Sequence, residues 1–392
     1  MELAGRLLVA GRLVPGSVSF EAGRITAVRE DPDPPPGERA RALPVVAPGL
    51  VDLHVHGFGG CDPLEDLAGM AAALARAGTT AFQPTLFPAA PPALGAIADR
   101  VHAACTAHAA QADGRGARPV GLHLEGPFVN PLRAGALPLE DLAEPSREAL
   151  RALLGPATGD GRGVRTLTLA PELPGAAELV AELARAGVRV SLGHSQATAA
   201  EARAAARDGA VGATHLFNAM GPLHHREVGL AGFALSERAL FAELIGDLEH
   251  VGADAVRLAL AARGPRGLCL VSDALRGAGT GCDRFHWHGR EHEVHHGTAY
   301  YPAGDGRAAP QLAGSAMSQL EMVRRLVERG VTSLEEALTM ACETPARALG
   351  LEGELGRLAP GARADLIVLE GPDLRLRKVL VGGIPLAAES AR

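Results

Sequence analysis

Lysine is almost missing from this chain. Lys378, near the C-terminal end, is the only one in 392 residues, although lysine and arginine together number 38. The preference for arginine, like the many alanines, reads as the coding habit of a GC-rich genome. Aromatic residues make up 3%, no basic run occurs, and the net charge is -7. These shortages argue against a nucleic-acid partner, which would select a basic stripe or patch. No apolar stretch approaches a membrane span in length, and the opening MELAGRLLVAGRLVPG lacks the layout of a secretory signal. Cys61, Cys105, Cys269, Cys282 and Cys342 form no Cys-x-x-Cys pair, which suits a reduced, cytoplasmic protein. What the chain has in quantity is apolar surface, at 47%, with 49 glycines and 28 prolines scattered throughout. That is enough for one large core with many short turns and a small second unit.

The two ends alternate apolar and polar residues between glycine turns, as in GRLLVAGRLVPGSVSFEAGRITAVRE and GRLAPGARADLIVLEGPDLRLRKVLVGGIPL. Residues 1–47 and 355–392 are expected to join through space in one small β-unit, around a domain spanning 48–354. DPDPPPGE, residues 31–38, reads as a loop. Between the ends, apolar strands alternate with helices. The candidate strands are 50–55, 80–86, 120–124, 164–170, 188–192, 212–216, 240–246 and 268–272. Several helices stop on a glycine phrase, ARAGTT, ARAGVRV or ARDGAVGATH, where glycine can take the left-handed cap. Eight non-alternating apolar strands with helices between them predict a closed parallel (β/α)8 barrel, with an open doubly wound sheet as the alternative. A barrel places function at the C-terminal ends of its strands.

The titratable residues gather at that rim. His54 and His56, in VDLHVHGFGG, close strand one, and their spacing of two puts them on one face. Strand three ends at Glu125, with His123 on the same side, supporting the ligands from behind or packed in the core. His194 ends strand five, His215 strand six and Asp273 strand eight, and His250 follows strand seven. Any one of these could be structural; all of them together point to a site. Imidazoles with carboxylates suit zinc, or iron(II), with positions left open for water. Many two-metal barrel hydrolases bridge their ions with a carbamylated lysine. The barrel region here has none, so Glu125 is the natural bridging or primary ligand. Asp273 can take a proton from activated water and return it to a leaving amine.

These runs resemble the amidohydrolase superfamily and, within it, the N-acetylglucosamine-6-phosphate deacetylase family. The matching segments are APGLVDLHVHG, GLHLEGPFVNP, SLGHSQAT, GATHLFNAMGPLHHREVGLAG, LVSDA, LAGSAMS and GRLAPGARADLIVLE. HLEGPF, THLFNAM and LAGSAMS are specific to that family; the His-x-His and the C-terminal run are shared across the superfamily. The resemblance implies a barrel with a β-sandwich built from both ends. It implies metal-dependent removal of the N-acetyl group from an amino-sugar 6-phosphate, a hydrolysis of a linear amide. One or two divalent ions per subunit are implied, zinc before iron(II). Glu125, His194 and His215 match the primary ligands, and His54 and His56 the second pair. Asp273 matches the catalytic base and acid, and a second-ion ligand; His250 matches the residue that polarises the carbonyl and contacts substrate. Asn218, Ala219, Ala136 and the loop Leu312, Ala313, Gly314 and Ser315 match substrate contacts, the loop closing over the sugar. Arg226 matches an arginine that reaches the phosphate across a homodimer interface, where a bidentate guanidinium fits a dianion.

Departures bear on specificity. Where relatives carry KKGAH this chain has LRAGAL, with Leu137 in place of a sugar-contacting histidine. The usual Asp-Gly-x-His run is DLEH, with Leu248 for glycine and Glu249 beside His250. The histidine-rich stretch CDRFHWHGREHEVHHG, centred on 286–296, reads as an exposed hairpin, with a metal-binding tract as the sharper alternative. N-acetylgalactosamine 6-phosphate or a small cyclic amide is the alternative substrate. A catalytically dead homologue is disfavoured by the intact ligands and Asp273.

Overall fold

The computed structural model describes residues 1–33, 37–111, 116–155, 161–304 and 308–386. Residues 34–36 of the expected loop and the end of the C-terminal segment, 387–392, lie outside the described residues. All eight expected barrel strands form: Leu50–Val55, Thr79–Leu86, Leu122–Glu125, Val164–Leu169, Arg189–Leu192, Ala210–Ala213, Phe241–Ile245 and Leu268–Val271. Each pairs in parallel with the next in chain order. Strand one then meets the end of strand eight, where Val55 pairs with Ala274, and the His56 and Gly57 amides both donate to the Ala274 carbonyl. That closure excludes the open-sheet alternative.

Below the rim, side chains stitch the first strand to the last. The buried Gln319 amide donates to the carbonyls of Val51, at 2.9 Å, and Leu270, at 2.7 Å. One carboxylate oxygen of fully buried Asp52 accepts from the Ser272 and His54 amides. The other has no partner, and burial pushes this carboxyl up to about 7. Orphaned buried polar groups are costly, so such stitching is worth more than its bond count.

The helix-ending glycines behave as the sequence predicts. Gly78, Gly187 and Gly209 take φ of 98°, 79° and 119°, where a side chain would be strained. Helix Ala199–Asp208 begins with a reciprocal cap between Thr198 and Glu201.

Both chain ends build one seven-stranded sheet. Its order runs Ile384–Pro385, Arg375–Val381, Leu366–Glu370, Val45–Pro48, Glu2–Val9, Arg12–Glu21, Arg24–Glu30. The sheet curls back on itself, because the Ile25 amide donates to Ala362 and the Gly361 amide to Ile25. It encloses its own core of Leu7, Val18, Phe20, Ile25, Val46 and Leu366.

The histidine-rich stretch is a hairpin, Arg284–Trp287 with Arg290–His295, turning at His288 and Gly289. Two further strands, Thr298–Tyr301 and Gln311–Ser315, extend it. The hairpin is not wholly exposed. Trp287 is buried, and so is His292, which stacks on Phe285 at 4.6 Å. Among the described residues, none of its histidines joins a group that could hold a metal ion.

Candidate metal centre and active site

Two local devices bring the site together. The first is strand geometry. Alternation along Leu50–Val55 points His54 the same way as His56 just beyond it, and their Nε2 atoms lie 3.2 Å apart. The second is left-handed backbone. Strand six ends at Ala213, two residues short of His215, and strand five ends at Leu192, two short of His194. His194, His215 and Asp273 take φ of 47°, 29° and 47°. Each such conformation costs on the order of 1–3 kcal/mol for a residue with a side chain. Backbone bonds hold these turns: the Asp273 amide donates to His54, Asn130 to His194, and Ser315 to Asp273. The run THLFNAM repeats the device at Phe217 and Ala219.

The imidazoles converge on Glu125, which is 3% exposed. Its Oε1 lies 3.0 Å from Nε2 of His194 and of His215, and 3.5 Å from Nε2 of His54. Its Oε2 lies 3.2 Å from Nε2 of His56. Asp273 Oδ1 stands 3.5 Å from Nε2 of both His54 and His56. Two groups capable of holding a metal ion therefore share one carboxylate: His54, His56 and Glu125, and Glu125, His194 and His215.

Proton positions test whether a cation belongs there. His54 Nδ1 faces the Glu243 carboxylate at 3.1 Å, and His194 Nδ1 faces the Arg133 carbonyl at 2.9 Å. Both partners only accept, so both Nδ1 atoms carry the proton. In neutral imidazoles this leaves Nε2 lone pairs aimed at a carboxylate. Lone pairs facing an anion at 3.0 and 3.5 Å are repulsive unless something positive lies between them. Tetrahedral ligands about 2.0–2.1 Å from a zinc ion are about 3.3 Å from one another, which is the spacing found. The electrostatics agree. Burial depresses His54, yet the charges of Asp273 and Glu125 overcome it and hold the imidazole well above its ordinary value. Burial raises Glu125, but His54 and the surrounding imidazoles hold it well below.

Several contributors escape sequence reasoning. Glu243, buried on strand seven, holds the His54 ring and also accepts from the His215 amide. A lone acid within the apolar run FAELI was its only signal. Asp247 is fully buried and orients His250, 2.6 Å from its Nδ1, while accepting from Thr298. Burial lowers His250, but the Asp247 hydrogen bond and charge outweigh it and raise the imidazole above its usual range. Glu172 ties the loops after strands three and five by accepting from Asn130, Ser195 and the Gln196 amide. His123 is a buried support behind His54, at 4.6 Å between rings, bonded to Thr85 and Thr168. Burial first, then the charge of His54, lowers it to about 3, so it stays neutral.

A cavity of about 320 Å³ opens over the cluster, walled by Phe87, Leu137, Asn218, His250, Gln311 and Leu312. Ala136, Ala219 and Ala313 also line it. The run 312–315 is a strand and not a free loop. Leu312 and Ala313 face the cavity, whereas buried Ser315 pairs with Ala274, and Gly314, at φ 154°, is not in the wall. Leu137 is buried against Val129 and Ala134. Leu248 adopts φ 64°, the left-handed conformation that glycine takes without penalty. Arg226 sits on an exposed loop beside His225, outside the cavity wall of its own chain.

A parallel barrel whose C-terminal mouth presents imidazoles to a shared carboxylate defines a barrel enzyme that holds a divalent cation. The Amidohydrolase family model matches residues 45–386, and the chain belongs to that family. N-acetylglucosamine-6-phosphate deacetylase of Homo sapiens is 35% identical, covering 97% of this chain and 91% of its own length. N-acetylgalactosamine-6-phosphate deacetylase of Escherichia coli O157:H7 is also 35% identical, covering 88% of both chains. A substituted N-acetyl-D-glucosamine-6-phosphate deacetylase from Mycobacterium smegmatis, in complex with N-acetyl-D-glucosamine-6-phosphate, superposes with a TM-score of 0.85 at 32% identity, over 99% of each chain.

Proposed function

We propose that the chain hydrolyses the N-acetyl group of N-acetyl-D-glucosamine 6-phosphate to D-glucosamine 6-phosphate and acetate, in amino-sugar catabolism. The observation that carries this is the Glu125-centred cluster with Asp273 on its open side, in a chain a third identical to such deacetylases over nearly its whole length. A divalent ion, when bound, supplies Lewis acidity to the amide carbonyl and to the attacking water. Glu125, His194 and His215 would hold the first ion; His54 and His56, with Glu125 or Asp273, would hold the second. Zinc fits this donor set best, then iron(II). Asp273 accepts the proton of the attacking water and passes it to the leaving amine. His250, oriented by Asp247, donates to the carbonyl oxygen as it gains charge. Asn218, Ala219, Ala136, Leu312 and Ala313 contact the sugar, and Gly314 and Ser315 hold that strand in place. Arg226 binds the phosphate of the partner subunit's substrate in a homodimer. Residues 1–47 and 355–392 act as one unit beside the barrel domain 48–354, and the protein works in the cytoplasm.

One observation favours a second substrate. Leu137 makes an apolar wall where a histidine would touch the sugar, and a relative of equal identity is named for the galactosamine isomer. A steady-state panel of both N-acetylated sugars, with and without the 6-phosphate, together with a metal count on the purified protein, tests the proposal. Turnover of the phosphorylated glucosamine compound that vanishes on metal removal and returns with zinc is expected. Full activity after verified removal refutes it.

A further inference from the structure

Next to the catalytic cavity lies a second one, of about 330 Å³. The two share His56, Phe87 and Ala136. Beyond that wall Leu64, Ile97, Leu275, Trp287 and Tyr301 give the second cavity an aliphatic and aromatic side, and Asp62, Glu140, Asp141, His288, Arg290 and His292 give it a polar one. Phe87 is the partition. It lies flat on His56, with ring centres 3.9 Å apart and 4° between planes, and meets Trp287 edge-on at 5.4 Å. Ala136, the remaining shared residue, contributes only a methyl group. At the outside, Arg290 and Glu140 stand 3.9 Å apart, both well exposed.

His56 belongs to the metal-holding cluster, so this cavity reaches the edge of that cluster, with Phe87 between the two. An amide extends from its carbonyl carbon in two directions. Its sugar, dense in hydroxyls, suits the wall with Asn218, His250 and Gln311. Its acyl side is hydrocarbon and suits the face of the second cavity formed by Leu64, Ile97, Leu275 and Trp287. We propose that the second cavity is an acyl subsite, through which the chain also hydrolyses amino-sugar 6-phosphates carrying N-acyl groups longer than acetyl. The inference rests on the amide-hydrolase reading. The reaction is unchanged: water oxygen bonds to the carbonyl carbon, the C–N bond breaks, the proton passes to the amine, and the longer carboxylate leaves.

The test compares kcat/KM for N-acetyl-, N-butyryl- and N-hexanoylglucosamine 6-phosphate with the metal-loaded enzyme. Each methylene buried in the cavity should lower KM by up to about fourfold, and the hexanoyl kcat/KM should stay within about tenfold of the acetyl value. Ile97→Phe fills the far wall without touching the metal cluster. It should lower the hexanoyl value at least about tenfold and leave the acetyl value within about threefold. A hexanoyl value more than about tenfold below acetyl in the unmodified enzyme, or an equal loss on all three compounds in Ile97→Phe, overturns the subsite. Trp287 is the only tryptophan, so hexanoate should change its fluorescence saturably. Acetate should not, and Ile97→Phe should remove the response. Identical responses to the two carboxylates also overturn the subsite. Inactivity on all three compounds, acetyl included, refutes the deacetylase reading, and the hexanoate titration then decides the subsite by itself.

Discussion

The two pairs of imidazoles reach one carboxylate by opposite routes. His54 is carried by a strand and His56 stands just past its end, both buried, with His54 fixed by Glu243 and backed by His123. His194 and His215 lie past their strand ends on left-handed turns, in the cavity wall with Asn218 and Ala219. The first pair is placed by local periodicity and surrounded by buried charge. The second is placed by strained turns held by bonds from other loops. A ligand pair set by strand geometry needs electrostatic support behind it; one set by turns needs backbone support around it.

Deleting one member of each pair probes that difference most strongly. His215→Ala should abolish tight metal binding and turnover together. The His54→Ala, His56→Ala double variant should retain one ion and part of the activity. Metal analysis with steady-state rates checks both. One equivalent in the unmodified protein at metal excess refutes two sites, and equal losses in both variants erase the distinction between the pairs.

Asp273 stands with the strand-borne pair, 3.5 Å from both of its Nε2 atoms. Asp273→Asn should keep substrate binding and the ion held by His194 and His215, and lower kcat by about 10²–10⁴-fold. A rate within about threefold of the parent removes Asp273 as the proton carrier.

On the turn-borne side, Arg226→Ala should raise KM for the phosphorylated sugar. A charge-assisted contact of about 1.5–3 kcal/mol corresponds to roughly 10- to 150-fold. Activity on the unphosphorylated sugar should hardly move. Mixing Arg226→Ala with Asp273→Asn subunits should restore part of the activity, because each heterodimer then contains one site free of both defects. No recovery in verified heterodimers assigns Arg226 to its own subunit or to no role.

The smallest expected effect sharpens the comparison. Glu243→Gln removes the charge behind His54 but not the bulk. Losing such a partner typically weakens metal binding about 10–100-fold. Titration calorimetry should place that loss on the second equivalent alone. An equal weakening of both equivalents shows that Glu243 acts on His215 as much as on His54.

Much of this was legible before folding. The strand positions, the glycine stops and the rim residues all came from apolar runs and their ends. What escaped were residues acting through another. Glu243 reads as a stray acid in a strand, and Phe87 as an apolar residue after one. The 312–315 run reads as a loop because Gly314 hides a strand edge. Leu248 carries no trace of its left-handed backbone, since a leucine gives no reason to expect it.

By itself, the sequence determined the barrel, the chemistry of the ligands and the order in which strands deliver them. Periodicity and residue type are local properties, and eight apolar strands have few ways to bury themselves. Only the tertiary structure decided which ring nitrogen carries the proton, that Glu125 is shared between the pairs, and that a second cavity lies behind Phe87. Those depend on atoms brought together from positions as far apart in the chain as His54 and Glu243, 189 residues, or Asp62 and Trp287, 225 residues. No local pattern encodes contacts across such separations; they arise when barrel closure brings all the strand ends to one rim.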